Sequence, residues 1–131
     1  MSDADDIDAI RERKREQLQE QATAPESTGE PVHVENAEQF EELTGTGVVL
    51  VDFYADWCGP CKMLEPTVAE LAAETDASVL KVDVDAHQAI AQQYQVQGVP
   101  TLYLFADGEP VERMVGVQDK GTLSGLIEQY A

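Results

Sequence analysis

The segment Val48-Val49-Leu50-Val51-Asp52-Phe53-Tyr54 is apolar on both sets of alternating positions, with Asp52 its one charged member. A strand on a half-exposed sheet alternates apolar and polar residues. A strand that is apolar throughout has packing partners on both faces, so this one belongs inside a sheet covered on each side. That excludes a helical bundle and a sheet with one wet face. The flanking patterns supply the covers. Val32–Val34 reads as a short strand and Ala37–Leu43 as a short helix capped by Asn36. Cys58–Glu74 repeats apolar residues at helical spacing through Met63, Leu64, Val68, Leu71 and Ala72. Ser78–Val84 reads as a strand and Ala86–Tyr94 as a helix. Thr101–Phe105 and Val111–Val117 read as strands joined at Ala106-Asp107-Gly108-Glu109, where Asp-Gly signals a hairpin, and Thr122–Tyr130 closes as a helix. The order βαβαβαββα predicts an α/β fold: a mixed central β-sheet flanked by helices.

The chain's 131 residues suffice for one domain, and its two cysteines exclude a disulfide-scaffold protein. Composition shifts near residue 30. Residues 1–30 hold Ile7, Ile10 and Leu18 among dense charge, enough for a solvated helix over about residues 4–20 but too thin a stripe to dock firmly. Residues 21–31, with Pro25, Ser27, Thr28, Gly29 and Pro31, read as a linker. The expected organisation is therefore a charged, mobile N-terminal extension over 1–30 and a folded domain over 31–131.

Eight Lys and Arg against 26 Asp and Glu give a net charge of −18. Such a surface repels phosphate, so neither nucleic acid nor an anionic membrane is an expected partner. The longest unbroken apolar run, residues 47–51, is far short of the roughly twenty residues that cross a bilayer. The start Met1-Ser2-Asp3-Ala4-Asp5-Asp6 lacks the basic and apolar regions of a signal peptide, which points to a cytoplasmic protein, expected to act as a monomer. The acidity is not confined to the extension. Residues 31–131 carry only Lys62, Lys81, Arg113 and Lys120 as cations and keep a net charge of −13. Solubility needs a magnitude of about 2–8. The excess is what a salt-rich cytoplasm permits, so the composition predicts a halophilic organism.

Trp57-Cys58-Gly59-Pro60-Cys61-Lys62 puts two cysteines, two residues apart, between the buried strand and the following helix. Cys58 then stands at the helix start, where free backbone N–H groups stabilise a thiolate. Cys61, one turn in and facing the apolar side, stays a shielded thiol. An exposed nucleophile beside a sheltered partner suits thiol–disulfide exchange. A purely structural bridge here would close a loop worth only about 2 kcal/mol, a weak reason for two cysteines in a reducing compartment. A zinc site needs four ligands, and His33 and His87 lie far along the chain without paired spacing; they read as surface residues, and no metal is expected. Asp52 has two readings: a carboxylate buried at a cost, with its pKa raised, or one facing water at a strand end. Pro100 is likewise a loop proline or a special strand-start residue. By composition alone Trp57 is a core residue.

These motifs together resemble the thioredoxin family. The Trp57–Lys62 hexapeptide is that family's active-site sequence. Asp52 stands six residues before the first cysteine, Pro66 five after the second, and Gly98-Val99-Pro100-Thr101 follows, with Gly108 and Gly116 where the family has glycines. The likeness covers about residues 32–131. Tyr54 departs from it, standing where many members carry a second tryptophan. The resemblance implies a thioredoxin fold and a protein-disulfide reductase without a cofactor, re-reduced by a thioredoxin reductase and acting on disulfide-containing client proteins. It implies Cys58 as attacking thiolate, Cys61 as resolving thiol and a redox disulfide between them. Asp52 would be the buried base that takes the Cys61 proton, tuned by Lys81. It further implies a cis bond at Val99-Pro100, and a docking patch of Trp57, Gly59, Pro60, Val99, Pro100, Gly116 and Val117. Relatives that act as oxidases or isomerases place a histidine between the cysteines, unlike Gly59-Pro60. A mere binding module on this fold would have little use for Cys58, Cys61, Asp52 and Pro100 together.

Overall fold

In the computed structural model, which describes residues 29–131, strands and helices alternate as β1 (Val32–His33), α1 (Ala37–Thr44), β2 (Val48–Tyr54), α2 (Gly59–Glu74), β3 (Ser78–Asp83), α3 (Gln88–Gln93), β4 (Thr101–Ala106), β5 (Glu109–Val115) and α4 (Lys120–Tyr130). The helix expected over 4–20, and most of the linker and extension, lie outside the described residues. The five strands form one sheet in the order β1-β3-β2-β4-β5. β1 and β2 both run parallel to β3, while β4 is antiparallel to β2 and β5. The apolar strand β2 sits at the centre, as its composition requires, and its residues 49–53 are all buried.

Strand alternation divides the core into two layers. Leu50, Val79, Leu102 and Leu104 meet Leu64, Val68 and Leu71 of α2 and Leu123 and Ile127 of α4. On the opposite face Val49, Val51, Phe53, Leu80, Val82 and Phe105 meet Phe40 of α1 and Ile90 of α3. Asp52 has the parity of Leu50 and Lys81 that of Val79, so both side chains leave the sheet on the α2 face.

The element order agrees with the sequence reading; several ends do not. The hairpin turn puts Asp107 at φ 50° and Gly108 at φ 92°, the two consecutive positive values of a two-residue turn, so β5 begins at Glu109, two residues before its expected start. It ends at Val115 because Gly116, at φ 95°, turns the chain away, leaving Val117 beyond the strand. Helix α4 starts at Lys120, where Asp119 caps it by accepting the Thr122 N–H at 2.7 Å. Asn36 caps α1 as expected, accepting the Gln39 N–H at 2.8 Å.

Candidate active site

Strand β2 delivers the chain to a short turn in which the Cys58 N–H donates to the Ala55 carbonyl at 3.1 Å. Cys58 is the N-cap of α2, with extended backbone, and its Sγ accepts the Cys61 N–H at 3.1 Å. Gly59 and Pro60 fill the first helical positions. Proline is suited there because its missing N–H would have had no intrahelical partner. A sulfur that already accepts a backbone N–H at a helix start is placed where negative charge is favoured. Cys61 lies one turn in, its Cα 5.3 Å from that of Cys58, and the two are joined as a disulfide.

The expected contrast between an exposed and a sheltered cysteine is corrected. Cys58 is 3% exposed and Cys61 2%. Ala55 joins the pair in one buried cluster, with Tyr54, Val84 and Val99 packed against it, and the Cys58 Sγ lies 3.7 Å from the Val99 carbonyl oxygen. What separates the two sulfurs is position, helix cap against helix interior, rather than accessible area.

The Val99-Pro100 bond is cis, Pro100 is buried, and its carbonyl accepts the Gly116 N–H at 2.8 Å. That bond ties the end of β5 to the proline loop. Val117 is exposed, as are Gly59 and Pro60. Trp57 is no core residue: it is 71% exposed, and its indole N–H donates to Asp85 Oδ2 at 2.9 Å. Met63, counted above toward the helical core stripe, is also exposed. Met63 lies a step of about 100° around the helix from Leu64, and Leu64, in step with Cys61 and Val68, takes the buried place.

Asp52 is fully buried, which removes the reading of a carboxylate facing water. Neither of its oxygens has a hydrogen-bond partner among the described residues. Burial pushes its pKa up to about 6; the Lys81 charge opposes the rise and the Glu65 carboxylate adds to it. Lys81 is the register partner of Asp52 on β3 and is itself buried. Its ammonium nevertheless turns elsewhere, 3.6 Å from Glu65 Oε2 and 4.4 Å from the centre of the Tyr54 ring. Glu65 and Asp85 thus join the site without having been singled out in the sequence. An exposed acid among 26 acids carries no signal of its own, although Glu65 follows Cys61 by four residues and so shares its helix face. Tyr54 supplies a ring face to Lys81, and its hydroxyl lies 3.4 Å from His33 Nδ1. His33 is on an edge strand, and His87 stands at the N-cap position of α3 without a side-chain capping bond.

A family model for thioredoxin matches residues 31–129. Thioredoxin from Chlamydia caviae is 50% identical over 101 residues, which are 76% of this chain and 99% of that protein. Among solved structures, an N21Q mutant thioredoxin from Halobacterium salinarum is 57% identical, with a TM-score of 0.77 over 79% of this chain and 93% of that one. Thioredoxin from Schistosoma mansoni is 31% identical, with a TM-score of 0.71 over 80% and 99%. The likeness runs through the whole sheet and both cysteines, so the chain belongs to the thioredoxin family and is a dithiol–disulfide oxidoreductase.

Proposed function

We propose that the chain is a cytoplasmic reductant of protein disulfides, carrying electrons from a thioredoxin reductase to client proteins. The observation that carries the reading is the N-cap position of Cys58, whose sulfur accepts a backbone N–H while Cys61 waits one turn away. In the reduced protein the Cys58 thiolate attacks a client disulfide. A Cys58–client S–S bond forms, and the client's own S–S bond breaks, its electron pair leaving on the second client sulfur. Cys61 then gives its proton to Asp52, and its sulfur attacks Cys58 Sγ. The mixed disulfide breaks, the client leaves as a second thiolate, and the Cys58–Cys61 disulfide remains. Two electrons have moved to the client; the reductase returns two electrons, and the proton held on Asp52 goes back to Cys61. The dithiol holds the electrons itself, so the cycle needs no cofactor.

Lys81 tunes Asp52 by charge. Trp57, Gly59, Pro60, Val99, Pro100, Gly116 and Val117 form the docking patch, with the Val99 backbone available to an extended client segment. The activity resides in residues 31–131, and residues 1–30 are an extension to it.

The experiment is a pair of variants with a disulfide-containing client. Cys58→Ser should lose client reduction. Cys61→Ser should still attack and remain trapped as a mixed disulfide, visible as a mass shift that a strong reductant reverses. Normal turnover by Cys61→Ser, or faster alkylation of Cys61 than of Cys58 in the reduced protein at neutral pH, would overturn the assignment.

A further inference from the structure

Asp52 and Lys81 face each other across neighbouring parallel strands and leave the sheet on the same side, yet they do not pair. The ammonium sits instead at 3.6 Å from Glu65 on α2 and over the Tyr54 ring. The reason is solvation. A lysine ammonium is strongly hydrated on a flexible stem and settles where water and an anion are both within reach. Lys81 is itself only 6% exposed, and Glu65, 53% exposed, offers it an anion that keeps its own access to water. The Asp52 carboxylate offers only a dry pocket, where bringing in a second charge costs desolvation.

We propose that Glu65 is a positioning residue for the Asp52 base: by drawing the Lys81 ammonium to itself it keeps that charge from pairing directly with the Asp52 carboxylate, and so sets how strongly that carboxylate draws the proton from Cys61. The inference rests on the reading of Asp52 as the base of the resolving step. In that step the Cys61 proton passes to Asp52, the Cys61–Cys58 bond forms, and the Cys58–client bond breaks with its electrons on the client sulfur. A more proton-hungry carboxylate is a stronger base, provided it is still ionised at the working pH. The groups that act on Asp52 are few. Lys81 from β3 favours its charge and Glu65 from α2 opposes it. From β2 itself, Tyr54 has its hydroxyl pushed up first by burial and then by the carboxylates of Asp83, Asp56 and Asp52. The facing residue on β4, Leu102, is apolar. Removing the Glu65 charge acts twice in the same direction: it deletes a repulsion and frees Lys81 to approach.

The test follows the Asp52 carboxyl carbon by NMR across pH 4 to 9 in the oxidised full chain. Glu65→Gln should lower the titration midpoint of Asp52 by roughly half a pH unit or more, while Glu65→Asp, which keeps the charge, stays nearer the parent. In kinetics, the chain carrying thionitrobenzoate on Cys58 releases that chromophore when Cys61 resolves it. In Glu65→Gln the release profile should rise at lower pH and level off at a slower rate. An Asp52 midpoint and a release profile unchanged in Glu65→Gln would overturn the inference. Failure of the underlying reading looks different: Asp52→Asn would then release thionitrobenzoate as the parent does at every pH.

Discussion

At Asp52 a carboxylate is fully buried with no hydrogen-bond partner among the described residues, and its preference for the proton puts a pH-dependent cost on the fold. Its ordinary pKa of 3.8 applies to the unfolded chain, against about 6 in the folded one. Below the first value the group is neutral in both states and costs nothing. As the pH rises from about 4 to 6 the unfolded chain gives up its proton first, so stability falls, and above 6 the loss levels at about 3 kcal/mol. Asp52→Asn removes that charge but leaves a buried amide, so its gain at pH 8 should be roughly 2 kcal/mol. Urea unfolding in 1 M potassium chloride measures it, and the gain should be gone by pH 4, where little of the carboxyl's cost remains and the buried amide is the costlier group. A constant difference between pH 4 and pH 8 would mean that the carboxylate is not desolvated. Asp52 was legible in the sequence because a lone charge inside an apolar run has few reasons to be there. Trp57 misled for the converse reason. A large aromatic is usually buried, and nothing local announces that Asp85 holds this one by its N–H at the surface.

Among the elements, β2 links the two ends of the molecule. Its C-terminal end leads to Cys58, and its N-terminal end is fastened to the β4–β5 hairpin. The Gly47 N–H donates to Asp107 Oδ1 and the Asp107 N–H donates back to the Gly47 carbonyl, both at 2.9 Å. Gly108 completes that turn at φ 92°, and a Cβ there would also lie 3.3 Å from the Gly45 carbonyl oxygen. Gly108→Ala should therefore cost roughly 1–2 kcal/mol of stability. The seven residues of β2 put about 20 Å between this turn and the cysteines, so client reduction should keep its rate. A lower urea midpoint with unchanged turnover is the expected pair of results; a slowed reaction would show that the hairpin positions the site. The order of elements could be read from periodicity because each long segment buries one face or both. The ends could not. Whether α4 starts at Lys120 or two residues later depends on the Asp119 side chain reaching Thr122, and where β5 stops depends on the left-handed backbone of Gly116. Side-chain capping and single dihedral angles leave no periodic trace.

Across the whole molecule acids far outnumber cations, and among the described residues three of the four cations are already engaged. In the domain, Lys81 faces Glu65, Lys120 bridges Glu70 and Glu74 at 3.3 and 2.7 Å, and Arg113 donates to the Gln95 carbonyl. Many of the described carboxylates have no such ion pair. On α1, Glu38, Glu41 and Glu42 stand three and four residues apart on an exposed helix, where like charges repel. Repulsion of this kind acts through solvent, with a screening length near 10 Å at 0.1 M salt and about 3 Å at 1 M. Raising the salt should stabilise the fold chiefly by removing it. The charge reading of a halophilic origin agrees with the 57% identity to a Halobacterium salinarum thioredoxin, and it makes a quantitative demand. The thermal midpoint should climb steadily from 0.05 to 2 M potassium chloride. General salting-out of apolar surface would raise it too, and a charge variant separates the causes. Replacing Glu38, Glu41 and Glu42 together by glutamine removes three negative charges from one helix while leaving the apolar core intact. If self-repulsion limits stability, this variant melts higher than the parent at 0.05 M, and the gap narrows as salt rises. Equal slopes for the two proteins would assign the salt effect to apolar burial instead, and a flat parent curve would remove the halophilic reading altogether.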